Sequence, residues 1–71
     1  MLEESGIVLW FDEVKGYGFI KPNKGNEDLF VHFRDVIRNV EGEIALQKNQ
    51  KVLFEVHTSE KGAVAKNVKS V

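Results

Sequence analysis

Tyr17-Gly18-Phe19-Ile20-Lys21 and, one turn later, Leu29-Phe30-Val31-His32-Phe33 decide how this chain folds. Side chains alternate faces along a strand, so Tyr17 and Phe19 point one way and Gly18 and Ile20 the other. Phe30 and His32 likewise oppose Leu29, Val31 and Phe33. Each segment therefore carries an aromatic face and an aliphatic face. Ile20, Leu29 and Val31, with Val8, Val52 and Val68, suit an interior, which sends Tyr17, Phe19, Phe30 and His32 outward as a platform on adjacent strands. The opposite assignment would expose Ile20, Leu29 and Val31 together and bury His32, whose polar tip favours water.

Further strand signals lie on both sides. An apolar run over 7–11 precedes the hairpin-sized connection 12–16, and Pro22 ends the second strand ahead of a turn over 22–26. Two more strands are expected over 51–58 and 63–68, joined through 59–62. Between residues 34 and 49 no period emerges beyond one helical turn at 34–37. Five short strands favour closure, because a flat sheet would expose its edges. The expected fold is all-β, a five-stranded antiparallel OB-fold barrel; an SH3-like barrel fits the same pattern.

Seventy-one residues allow one domain, here 1–71, and one core. No cysteine is present, so no disulfide or thiolate metal site reinforces that core, and apolar packing must hold it. A hydrophobic share of 42% with 30% charged residues fits a folded, soluble chain. Met1-Leu2-Glu3-Glu4 lacks the basic start of a secretory signal, and the longest apolar run is too short for a membrane span; a cytoplasmic protein is expected. The net charge of −1 argues against the basic footprint of a duplex-DNA binder. Basic residues nevertheless outnumber acids across 15–38, where the aromatics gather.

An exposed aromatic platform is unfavourable in water unless a ligand covers it. Planar rings suit planar partners, and every nucleobase offers a π-face, each stack contributing about 1–3 kcal/mol. Lys15, Lys21 and Lys61 could hold the phosphates, while Gly16 and Gly18 beside the rings could let backbone and bases approach closely. Catalysis has little support: the two histidines, His32 and His57, fall on different strands, and no phosphate loop, G-x-S-x-G or H-E-x-x-H pattern occurs. No catalytic residue, metal, cofactor or small-molecule substrate is expected. A barrel that docks a peptide or another subunit on its aromatic face is the competing class.

Lys15-Gly16-Tyr17-Gly18-Phe19-Ile20 resembles the first ribonucleoprotein-type motif of the cold-shock domain family, and Leu29-Phe30-Val31-His32-Phe33 the second. Trp10-Phe11 ahead of them, Phe54-Glu55-Val56 and Lys66-Asn67-Val68 extend the likeness along essentially the whole chain. The resemblance implies an OB-type barrel that binds single-stranded RNA or DNA, acting as a monomeric RNA chaperone or a regulator of transcription or translation. It also implies stacking positions at Trp10, Tyr17, Phe19, Phe30, His32 and Phe33, polar contacts at Lys15, Asp28 and Lys61, and Phe11 at the platform edge.

Four departures from the family pattern bear on affinity. Leu9 stands where bacterial members usually carry lysine, and Asp12 replaces a frequent asparagine. Glu41-Gly42-Glu43-Ile44-Ala45 lacks the exposed aromatic that usually follows glycine, so one stacking position is vacant and an acid stands in its place. Ala63 replaces a common proline. Binding weaker than is typical of the family is the expectation.

Overall fold

The computed structural model describes residues 3–25, 27–38, 41–42, 46–60 and 62–71. Five strands, β1 (Glu4–Asp12), β2 (Tyr17–Pro22), β3 (Leu29–His32), β4 (Lys51–Ser59) and β5 (Gly62–Ser70), close into a barrel in the order β1-β2-β3-β5-β4. Four pairings are antiparallel, as expected; the fifth, β3 with β5, is parallel. Closure itself requires this. Strand directions can alternate all the way round a ring only when the number of strands is even, so five strands leave one pair running the same way.

The interior follows the alternation. Val8, Ile20, Leu29, Val31, Val52 and Val68 are all buried, and among the described residues Val36, Leu46, Phe54 and Ala65 join them in the core. Phe54 is the largest fully buried side chain. Leu46 reaches the core from the long connection before β4, and Val36 does so just after β3, where it bridges Val68. Neither position lies in a periodic segment, so pattern alone did not find them.

Residues 12–16 form a self-bonded turn. The Asp12 carboxylate Oδ1 accepts from the backbone N–H of Val14 and of Lys15, both at 2.9 Å, and Gly16 N–H donates to Asp12 C=O at 2.7 Å. Aspartate favours this arrangement because its short side chain mimics a backbone carbonyl. Gly16, at φ 78°, takes the left-handed conformation the turn requires.

Two expectations change after β3. Strand alternation put Phe33 on the inner face, but the strand ends at His32 and Phe33–Asp35 form a 3-10 turn. Phe33 is thereby freed from the period-two pattern and is 37% exposed. The helical turn expected over 34–37 thus begins one residue earlier and stops at Asp35.

Candidate nucleic-acid interface

Trp10 reaches the outer surface through an irregularity in β1. Val8 faces inward opposite Ile20, and simple alternation would turn Trp10 inward as well. The register instead runs Val8 to Ile20 and then Trp10 to Phe19, with Leu9 as the extra residue on β1. Such a bulge lets one residue pass without a partner and re-aims the side chains that follow. Trp10 accordingly stands 42% exposed, and Phe11 turns inward opposite Gly18.

Phe11 is therefore not at the platform edge; it is half-buried and packs against the core. Gly18 has a corresponding explanation. A Cβ there would lie 2.2 Å from the Trp10 carbonyl oxygen and 2.7 Å from the Phe11 Cα. Its bare backbone accommodates β1, and the expectation that it leaves room for a base is replaced by this internal contact. Gly16 is similar: a Cβ would meet the Phe33 ring at 2.8 Å, so that ring sits directly over the glycine.

Four rings from three strands meet on the outer face. Trp10 lies 5.4 Å from Tyr17 and 5.4 Å from Phe19 between ring centroids, and Phe30 lies 5.7 Å from Tyr17 and 5.8 Å from Phe19. The four contacts close a quartet. Tyr17 and Phe30 are stacked at 26°, while Trp10–Tyr17 and Phe19–Phe30 meet edge to face, both favourable for ring quadrupoles. Each of the four rings is thus braced by two others.

His32 and Phe33 form a second pair beside the quartet, with centroids 4.5 Å apart and planes at 38°. His32 is the register partner of Tyr17, which places the pair at the end of the sheet nearest the 12–16 turn. The Nδ1 of His32 accepts from the Arg34 backbone N–H at 3.2 Å. That bond requires Nδ1 to be unprotonated, so the neutral ring carries its proton on Nε2.

The polar positions flank the rings. Lys15 is exposed in the turn preceding Tyr17, and Asp28 is exposed ahead of β3 at the opposite end of the sheet. Lys21 is exposed on the outward parity of β2. Lys66 and Lys69 are engaged by Asp35 at 3.2 Å and Glu3 at 2.9 Å, which partly neutralises them. Lys61, Glu43, Ile44, Ala45 and the turn residue Asn26 lie outside the described residues. Ala63 packs against the core.

On the outer face of β4 and β5, His57 Nε2–H donates to Glu55 Oε1 at 3.1 Å and Asn67 Nδ2 donates to Glu55 Oε2 at 3.2 Å. These bonds, His57 first, hold the Glu55 carboxyl below its usual pKa. Among the described residues, no group of three or more His, Cys, Asp or Glu side chains is placed to hold a metal ion, and no helix is long and apolar enough to cross a membrane.

The sequence and the fold have clear relatives. Residues 4–71 match the model of the 'Cold-shock' DNA-binding domain. A cold shock-like protein of Aquifex aeolicus is 52% identical over 64 residues, covering 90% of this chain and 89% of that protein. The cold shock-like protein CspC of Buchnera aphidicola is 44% identical over 71 residues, the full length of both. Among solved structures, drosophila Unr CSD456 superposes with a TM-score of 0.79 at 26% identity; the match covers 99% of this chain and 27% of that one.

Proposed function

Because the chain belongs to the cold-shock DNA-binding domain family, we propose that it binds unpaired stretches of RNA or DNA by stacking their bases on Trp10, Tyr17, Phe19, Phe30, His32 and Phe33. One observation carries this reading: the quartet of mutually supporting rings stands outside a barrel whose buried core is built from other residues. The rings are therefore not needed for the core.

Stacking uses ring faces common to all bases, so sequence preference is modest. Lys15, Asp28, Lys21 and Lys61 supply the polar contacts along the strand. A duplex keeps its bases stacked on one another and offers no free faces, so the protein discriminates against it. Capturing transiently open segments shifts folded RNA toward the open form by mass action, with no fuel and no catalytic group. In this reading the chain is a monomeric cytoplasmic RNA chaperone or regulator of transcription or translation rather than an enzyme, and it needs neither metal nor cofactor.

Trp10, the single tryptophan, reports on the interface directly. Titration with a short oligothymidine should quench its fluorescence, and the matching duplex should not. Absence of a response to the single strand, or an equal response to both, would favour docking of a protein partner on the rings instead.

A further inference from the structure

The outward row that starts at Trp10 does not end at Phe30. Trp10 pairs in register with Phe19, Phe19 with Phe30, Phe30 with Val64 on β5, and Val64 with His57 on β4. Residues paired in register project from the same side of a sheet. The neighbouring positions agree: Ala65, next to Val64, is fully buried, and Val52 and Phe54 set the inward parity of β4 that His57 does not share. Val64 and His57 thus continue the face that carries the rings.

The His57 side chain is 38% exposed and is held at one edge. Its Nε2–H donates to Glu55, whose other oxygen is held by Asn67, a residue at φ 52° where the β4–β5 register shifts. A ring fixed at its edge keeps its faces available and loses less rotamer freedom when something stacks on it. The adjoining Glu55 carboxylate repels a phosphate, whereas the flat face of an uncharged base meets no such penalty. Two strand spacings of about 4.8 Å separate β3 from β4 across β5. A base seated on Phe30 cannot also cover His57; a nucleotide further along the same strand can.

We propose that His57 is an additional base-stacking position, extending the platform across Val64 onto β4. The proposal rests on the single-strand reading above. Glu55 and Asn67 act in it as positioning residues, and the ligand is a nucleobase rather than a phosphate.

A ladder of oligothymidines lengthening from about 4 to about 10 nucleotides, within the span an OB-type barrel covers, tests the proposal through Trp10 quenching. For the shortest strands, His57→Ala should bind like the unaltered protein. Once the strand reaches β4 it should bind at least about fivefold more weakly, the equivalent of one base stack. His57→Phe, which keeps a ring but cannot bond Glu55, should retain the affinity gained with length. A His57→Ala affinity ratio that stays the same at every length would overturn the proposal, whether that ratio is one or larger. So would a His57→Phe protein that behaves like His57→Ala. If the unaltered protein binds none of the strands, the proposal falls together with the reading it rests on.

Discussion

Replacing Gly18 with alanine adds one methyl group at the point where β1 must pass β2 to present Trp10. Gly18 does not adopt a positive φ, so alanine suits the local backbone and the whole cost is steric. The new Cβ would lie 2.2 Å from the Trp10 carbonyl oxygen, 2.7 Å from the Phe11 Cα and 2.9 Å from the Phe11 Cδ2. Two of these are backbone atoms in a paired strand, which cannot rotate away as a side-chain tip could. Overpacking a core position typically costs 1–3 kcal/mol, and backbone contacts this close put Gly18→Ala at about 3 kcal/mol. For 71 residues, total stability is on the order of 4–10 kcal/mol, so the loss is a large part of it. In a domain of this size the melting temperature should fall by roughly 12–24 °C, at about 4–8 °C per kcal/mol.

Thermal unfolding followed by far-UV circular dichroism measures the effect, with Gly62→Ala as comparison. Gly62 has φ 117° and nothing within 4 Å of an added Cβ, so alanine there meets backbone strain of about 1–3 kcal/mol and no clash. Oligothymidine affinity, measured well below the melting point, should fall in Gly18→Ala because separating β1 from β2 moves Trp10 away from Phe19. A Gly18→Ala protein melting within about 4 °C of the parent would refute the argument, since it would mean that β1 shifts freely at its bulge.

Other measurements address the surface. Phe30→Ala removes the ring that touches both Tyr17 and Phe19 and should weaken oligothymidine binding by about 1–3 kcal/mol; isothermal titration would show it. With two or three lysines near phosphates, the log–log dependence of affinity on salt should have a slope of about −1.5 to −2, at about 0.7 per neutralised phosphate. A slope several times steeper would point to a different interface. Glu43→Phe should restore a stacking ring and strengthen binding by about 1–3 kcal/mol, as competition with the parent protein for one strand would reveal. The lowered Glu55 pKa sets an acid limb. The carboxylate stabilises the fold fully above its ordinary value of 4.5, and that contribution is lost as pH falls through the lower folded value. Urea unfolding of Glu55→Gln should therefore show a shallower loss of stability below that pH than the parent does.

Much of the interior, and four of the outward rings, were legible in the chain itself. The six aliphatic positions read from alternation are all buried, and Tyr17, Phe19, Phe30 and His32 keep the outward parity of their strands. Alternation is a property of an extended backbone and needs no partner to define it. The motifs over 15–20 and 29–33 added the family and the residues of the candidate site.

Other features depended on contacts between segments distant in sequence. Trp10 shares the parity of Val8, and only the register with β2 shows that Leu9 is passed over and Trp10 is turned outward. The same bulge turns Phe11 inward and explains why no side chain fits at Gly18. Phe33 leaves the inner face because β3 gives way to a 3-10 turn after His32. The β3–β5 pair runs parallel because the ring has an odd number of strands. His57 joins the row of Trp10, Phe19 and Phe30 through β5, which follows it in sequence but separates it from β3 in space. The sequence by itself determined the two faces of each strand and the chemistry they carry, because these are local. Register, bulge and closure belong to pairs of strands, so the tertiary structure alone decided how Trp10 and Phe33 turn outward to join the other rings and how the outward row continues beyond Phe30.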